Sequence, residues 1–183
     1  EYVPGRSLQE RLDRYGPLNL PEILRIGHQT ASGLAAAHAQ GLVHRDVKPA
    51  NILLENGVER VRLTDFGLAR AVSDAGLTRS GVVAGTPHYM APEQANGEAV
   101  DHRADLFSLG STLYAISAGH PPFRAETPLG VLRRVCDDNP RPLREINPEI
   151  PEWLDTIIGR LLAKSPARRF QTASEVAELL ARS

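Results

Sequence analysis

The chain has 183 residues, with 21 Lys and Arg against 22 Asp and Glu side chains and a formal net charge of -1. This length is typical of one domain, and the balanced charge disfavours a nucleic-acid partner. The single cysteine, Cys136, excludes an internal disulfide and a thiolate metal site. No apolar run approaches the roughly 20 residues of a membrane span. We therefore expect a cytoplasmic location without membrane contact in this segment, although a longer parent protein can carry an anchor elsewhere.

The first third of the sequence predicts two helices. Ser7 and Glu10 have the spacing of a capping box, so a short helix should begin there and end by the Gly-Pro pair at 16–17. Apolar residues then recur at helical spacing from about residue 21 to residue 40. Gly41 is a suitable left-handed stop and predicts the end of this second helix.

Residues 42–66 change character and predict a small β-hairpin. Two short β-type runs, 52–54 and 61–63, flank the turn signal Asn56-Gly57. The next stretch, 67–100, is rich in Gly, Ala, Ser and Thr and shows little apolar periodicity. A long irregular stretch of this kind is typical of a functional loop or of disorder.

Helical patterning returns in the C-terminal half of the sequence. Further helices are predicted at about 103–118, 128–136, 151–163 and 173–182. The last begins with a second capping-box pattern, Thr172 to Glu175, and Trp153 is expected in the core. The predicted fold class is therefore mainly α with a small β-hairpin, in a single domain.

Three short motifs carry the chemistry: His-Arg-Asp-Val-Lys-Pro-Ala-Asn at 44–51, Asp-Phe-Gly at 65–67 and Ala-Pro-Glu at 91–93. Because the motifs occur in this order and at this spacing, the sequence resembles the catalytic half of a eukaryotic-like (Hanks-type) serine/threonine protein kinase. The residues at 91–95 resemble those of bacterial members of this family. The resemblance covers essentially all of residues 1–183. It implies a partial kinase domain consisting of the hinge, the helical C-terminal lobe, the catalytic loop and the activation segment.

The resemblance implies transfer of the ATP γ-phosphate to Ser/Thr hydroxyls of protein substrates, and it assigns the roles. Asp46 would orient the acceptor hydroxyl and take its proton, while Lys48 would reach the transferring phosphate. Asn51 and Asp65 offer the oxygen ligands that Mg²⁺ prefers. In the family, the threonine at the position of Thr86 hydrogen-bonds the catalytic Asp and Lys.

The resemblance to kinases also implies which residues bind the nucleotide. The backbone of Glu1 and Val3 would contact the adenine, and Leu53 would close the floor of its pocket. Lys48, Asn51 and Asp65 would complete the ATP and Mg²⁺ site.

Regulation by phosphorylation is expected because Arg45 precedes Asp46, which in this family marks enzymes switched on in the activation segment. A phosphate adds roughly -1.5 to -2 charge and can dock on an arginine. Thr78 and Ser80 are the predicted autophosphorylation sites.

Further residues match supporting roles in the family. Asp105 resembles the buried Asp that accepts backbone N–H groups of the catalytic loop, and Arg169 matches the Arg that pairs with Glu93. His44 and Phe66 match an apolar column that links the catalytic loop to the metal loop. The other histidines show no metal-ligand spacing and are predicted to be ordinary residues: His28, His38, His88, His102 and His120.

The resemblance also predicts parts that these 183 residues do not contain: the Gly-rich loop, the strand lysine and its glutamate partner. We therefore expect that activity requires an N-terminal β lobe that these residues do not include, and that the isolated fragment is inactive. Two alternatives stay open. A non-catalytic kinase-like scaffold is disfavoured by the intact motif residues, and a small-molecule phosphotransferase of the antibiotic-kinase type is disfavoured by the segment 85–93.

Overall fold

The computed structural model describes residues 5–55, 60–66 and 87–182, and this part contains a small antiparallel sheet and eight α-helices. The strands are β1 (Arg6–Ser7), β2 (Ile52–Glu55) and β3 (Arg60–Leu63). The helices are α1 (Leu8–Tyr15), α2 (Leu20–Ala39), α3 (Pro92–Ala95), α4 (Arg103–Ala118), α5 (Pro128–Asp137), α6 (Leu143–Ile146), α7 (Glu152–Leu161) and α8 (Ala173–Ala181). Three 3₁₀ turns lie at Pro49–Asn51, Pro87–Tyr89 and Pro166–Arg168.

The two N-terminal helices begin with reciprocal caps, which confirms the prediction for α1. Ser7 Oγ accepts the N–H of Glu10 at 3.1 Å, and the Glu10 carboxylate accepts the N–H of Ser7 at 2.8 Å. Asn19 and Glu22 form the same arrangement at the start of α2, which was not predicted. A good N-cap is worth about 1 kcal/mol. After α2 the chain turns at Gly41, whose φ of 72° is in the left-handed region.

The predicted hairpin is confirmed as β2 and β3, and the structure adds β1 as a third strand on the other side of β2. Ser7 lies opposite Leu53, which in turn lies opposite Arg62. A two-residue strand shows no alternation that a sequence pattern could reveal. Side chains alternate across a strand, so Ile52 and Leu54 are buried in the core while Leu53 lies partly buried on the opposite face.

Helix α4 is the centre of the core, and it follows the predicted bounds. Its residues from Ala104 to Ser117 are buried, as expected of a helix that is surrounded on all sides. Helices α2 and α7 pack against it, and α2 also packs along α8. Gly110 permits the close approach of α7, because a Cβ at this position would lie 2.6 Å from Cβ of Leu161. No helix in the described part of the chain is long and apolar enough to cross a membrane.

The expectation that Trp153 lies in the core is wrong, since this side chain is 37% exposed. Helix α7 turns Leu154, Ile158 and Leu161 inward. Trp153 precedes Leu154 by one residue, or about 100° around a helix, and therefore lies at the edge of this buried face. Large apolar side chains are common on protein surfaces, so size alone did not decide the position.

The second predicted capping box forms only in part. Thr172 Oγ1 accepts the N–H of Glu175 at 3.2 Å, as predicted. The Glu175 carboxylate, however, accepts the N–H of Gln171 at 3.0 Å, one residue before the cap. The entry angle of the chain into α8 decides which N–H the glutamate meets, and that angle depends on tertiary packing.

Candidate catalytic and metal-binding site

The catalytic loop places three of the predicted site residues in contact. Lys48 Nζ lies 2.8 Å from Oδ2 of Asp46, and Nδ2 of Asn51 donates to the same oxygen at 2.9 Å. Asn51 Nδ2 also donates to the backbone carbonyl of Asp46 at 2.8 Å. Both of these side-chain donors reach Oδ2, and within the described residues no hydrogen bond reaches Oδ1 of Asp46. The Asp46 side chain is 43% exposed and is open to an incoming hydroxyl.

Residues around Thr64 join the catalytic loop to Asp65. The backbone N–H and the hydroxyl of Thr64 both donate to the carbonyl of Asn51, at 3.0 and 3.2 Å. His44 Nε2 donates to the carbonyl of Thr64 at 2.8 Å, and the ring of His44 meets that of Phe66 edge-on at 4.5 Å. The predicted contact between His44 and Phe66 is therefore present. These bonds bring the segments that carry Asn51 and Asp65 together.

Arg45 and Asp65 are the described non-glycine residues with positive φ, at 66° and 62°. This left-handed conformation is uncommon for residues with a side chain, and it persists only where surrounding contacts hold it. Both residues lie in the predicted site, one directly before Asp46 and one at the predicted metal ligand. Backbone strain of this kind is concentrated at functional sites.

Asp105, at the start of α4, holds the catalytic loop as predicted. Its carboxylate is buried and accepts the N–H of His44 at 2.8 Å and the N–H of Arg45 at 2.7 Å. A third donor was missed by the sequence analysis: His38 Nε2 lies 2.8 Å from Oδ2 of Asp105. Because a carboxylate only accepts, His38 must donate here. His38 is a helix residue, as predicted, but its contact with Asp105 was not predicted.

Glu93 and Arg169 form the predicted pair, fully buried and bidentate, with N–O distances of 2.6 and 2.7 Å. The guanidinium uses its remaining N–H groups for three backbone carbonyls, those of Ala163, Arg103 and Lys164, at 2.8 to 2.9 Å. All five guanidinium donors are thereby used. This pair fastens α3 to the start of α4 and to the segment before α8.

The donor set of this site fits Mg²⁺. Asn51 spends its amide nitrogen on Asp46, so its oxygen Oδ1 is the atom that can take a cation, and Asp65 offers an exposed carboxylate. Among the described residues no group of three or more His, Cys, Asp or Glu side chains could hold a metal ion. Mg²⁺ does not need such a group, because it binds through one or two protein oxygens together with phosphate oxygens and water.

Several predicted residues lie outside the described part of the chain. These are Glu1 and Val3 of the adenine contacts, Thr86 of the catalytic group, and the phosphorylation sites Thr78 and Ser80. Their roles stay predictions, as does the role of Leu53 at the adenine. The half-buried position of Leu53, on the sheet face away from the core, leaves that side chain available for a ligand.

Gln94 is a further residue of the site that was not predicted. Its amide bonds Ala91 and Arg45, and it lies directly after the Ala-Pro-Glu motif. The sequence carries two signals at this position: an amide side chain next to a motif, and a helix whose first residue is a proline. Neither indicates a partner 49 residues away.

The chain is similar to known protein kinases. The sequence matches the protein kinase domain family over residues 1–180. It is 38% identical over 177 residues to the serine/threonine-protein kinase PknB of Mycobacterium leprae, covering 96% of this chain and 28% of that relative. A probable serine/threonine-protein kinase of Clostridium perfringens is 39% identical over 177 residues, covering 96% of this chain and 26% of that protein.

A solved structure shows the same fold. The crystal structure of Rad53 residues 1–466 in complex with AMP-PNP superposes with a TM-score of 0.80 at 28% sequence identity, covering 97% of this chain and 44% of that chain. The chain thus spans between a quarter and a half of the length of these proteins. The family match extends over nearly every residue. The chain belongs to the protein kinase domain family.

Proposed function

We propose that this chain provides the catalytic loop and the metal-binding residues of a serine/threonine protein kinase. The observation that carries the proposal is the contact of Asp46 Oδ2 with both Lys48 and Asn51, while Oδ1 accepts no hydrogen bond from the described residues and the side chain is 43% exposed. A carboxylate within reach of a hydroxyl can orient it and accept its proton as the phosphoryl group transfers. Lys48 adds a mobile positive charge beside the same carboxylate.

ATP and Mg²⁺ are the proposed cofactors. Asn51 and Asp65 would hold Mg²⁺, which neutralises phosphate charge when it is bound. The hydrogen bonds from Thr64 to Asn51 hold together the two segments that carry Asn51 and Asp65. The use of ATP is further supported by the AMP-PNP complex of the similar Rad53 structure. We further propose that the substrates are proteins with Ser or Thr acceptors and that the location is cytoplasmic.

The test compares Asp46→Asn with Asp138→Asn in the full-length protein. Asparagine keeps the shape of Asp46 but cannot take a proton, so we expect kcat for peptide phosphorylation to fall by about 10²–10⁴-fold with ATP affinity largely preserved. Asp138 is an exposed carboxylate after α5, paired only with Arg134 among the described residues, and its variant should match the wild type. An Asp46→Asn enzyme within about tenfold of wild-type kcat would contradict the assignment.

The same assay separates the two alternatives. A non-catalytic scaffold would transfer no phosphate to any peptide in the wild-type protein. A small-molecule phosphotransferase would phosphorylate an aminoglycoside acceptor rather than a Ser/Thr peptide. The binding of Mg·ATP, measured by calorimetry, should weaken in Asp65→Asn and persist in Asp46→Asn.

A further inference from the structure

The side chain of Gln94 connects α3 to the catalytic loop. Its Nε2 donates to the carbonyl oxygen of Arg45 at 3.0 Å, and its Oε1 accepts the N–H of Ala91 at 3.1 Å. A backbone carbonyl only accepts and a backbone N–H only donates. A terminal amide carries both functions on one planar group, so glutamine suits this pair of partners where glutamate or leucine does not.

The partner of Gln94 is the strained residue of the catalytic loop. Arg45 has a φ of 66°, and its N–H is already held by Oδ1 of Asp105 at 2.7 Å. The bond from Gln94 holds the carbonyl of the same residue. The backbone of Arg45 is therefore fixed on both sides, by α4 at its N–H and by α3 at its carbonyl.

The peptide unit that Gln94 holds leads directly into Asp46. Because a peptide unit is planar and rigid, fixing the Arg45 carbonyl also fixes the direction of the Asp46 N–H. That N–H meets Nδ1 of His44 at 3.3 Å, which is a long bond and a weak restraint. Helix α3 is itself immobilised, because the neighbouring Glu93 is buried in its pair with Arg169.

We propose that Gln94 is a positioning residue that orients the peptide unit between Arg45 and Asp46, and through it the carboxylate of Asp46. The effect on turnover rests on the proposed kinase function, whereas the effect on the loop does not. Gln94 thereby makes the geometry of the catalytic loop depend on the placement of α3, the first α-helix after residues 67–86.

Two variants separate this role from a simple cap on α3. Gln94→Glu keeps an acceptor for the Ala91 N–H but presents a carboxylate to the Arg45 carbonyl. Gln94→Met keeps the length and loses both bonds. The matched control is Asn147→Leu. Asn147 donates to the carbonyl of Ser117 at 3.1 Å and accepts the N–H of Glu149 at 3.2 Å, the same pattern on segments without site residues.

The first readout is amide hydrogen exchange in the full-length protein. The amides of Arg45 and Asp46 should exchange roughly two- to tenfold faster in both Gln94 variants, the factor expected for one neutral hydrogen bond. They should be unchanged in Asn147→Leu. Wild-type exchange at these amides in Gln94→Glu would overturn the proposal. An equal acceleration in Asn147→Leu would also overturn it, because the effect would then be a general loosening.

The second readout is a split between kinetic constants. We expect kcat to fall about tenfold in both Gln94 variants, with KM for ATP within twofold of wild type, because a small misplacement of a reacting group is costly. A Gln94→Glu enzyme with wild-type kcat would reduce Gln94 to a cap on α3 and refute the positioning role. A wild-type protein that transfers no phosphate refutes the proposed kinase function instead, and the exchange measurement still decides the role of Gln94.

Discussion

Two buried acids, Asp105 and Glu93, hold two neighbouring regions of the molecule in different ways. Asp105 holds the catalytic loop, and its described partners are two backbone N–H groups and the imidazole of His38. Glu93 holds α3, and its partner is the guanidinium of Arg169 at 2.6 and 2.7 Å. The first acid is satisfied mainly by backbone dipoles, and the second by a full opposite charge.

The two acids therefore have different roles: Asp105 controls the backbone conformation of the catalytic loop, and Glu93 attaches α3 to the rest of the fold. Backbone N–H donors fix single peptide units, so Asp105 selects the left-handed conformation of Arg45 that precedes Asp46. The Arg169 guanidinium instead binds carbonyls of two separate segments, Arg103 at the start of α4 and 163–164 after α7, and fastens whole elements to each other. We expect changes at Asp105 to act mainly on activity and changes at Arg169 mainly on stability.

The largest effect on stability is expected for Arg169→Met. Removing the guanidinium leaves the Glu93 carboxylate buried without a counter-charge, which should lower the free energy of unfolding by about 3–5 kcal/mol. Urea unfolding followed by circular dichroism measures the loss. Adding Glu93→Gln to Arg169→Met should recover part of it, because the buried charge is then gone. A loss below about 1 kcal/mol in Arg169→Met would show that the pair is not an attachment point.

A smaller loss of stability but a large loss of activity is expected for Asp105→Asn. Hydrogen bonds to a charged group contribute about 1.5–3 kcal/mol, and asparagine keeps only one acceptor oxygen for three donors. We expect a loss of about 2–3 kcal/mol, measured by the same unfolding assay, and a fall in kcat of more than about tenfold. The control is Asp101→Asn, a 47% exposed carboxylate near the start of the same helix, which should cost under about 1 kcal/mol. Equal kcat in Asp105→Asn and Asp101→Asn would show that Asp105 does not control activity, which would remove its distinction from Glu93.

The smallest expected effect is on the pH dependence of stability, and it concerns Lys164, a second cationic side chain near Arg169. Lys164 Nζ donates to the carbonyl of Val135 at 2.6 Å and lies 4.0 Å from the centre of the Phe123 ring. Burial lowers the pKa of Lys164 from 10.5 to about 8. The unfolded chain keeps this proton up to about pH 10.5, so the unfolded state binds more protons above pH 8 and the folded state gains stability as pH rises.

Lys164→Met should lack this gain. We expect the unfolding free energy of the wild type, relative to that of Lys164→Met, to increase by about 1 kcal/mol between pH 8 and pH 10, after allowance for the partial exposure of the side chain. Urea unfolding at the two pH values measures the change. Parallel pH profiles for the two proteins would show that the amine at position 164 keeps its ordinary affinity for protons.

The sequence by itself determined the elements whose signals are local. The cap of α1, the hairpin of β2 and β3, and the bounds of α4 depend on residues a few positions apart, and each matches the structure. The resemblance in the motifs then predicted two contacts across long separations. Asp105 binds the catalytic loop, 61 residues from His44, and Glu93 binds Arg169, 76 residues away. Periodicity and spacing alone would not have paired those residues.

Only the tertiary structure decided the contacts that no local pattern or motif encodes. The pairing of β1 with β2, the donation from His38 to Asp105, the link from Gln94 to Arg45 and the exposure of Trp153 all depend on which elements meet and at what angle. A hydrogen bond forms only where donor and acceptor approach within about 3 Å, and short-range patterns do not carry that distance. The catalytic loop shows this most clearly. Side chains from α4 and α3 hold the backbone of His44 and Arg45, and His38 of α2 supports them through Asp105.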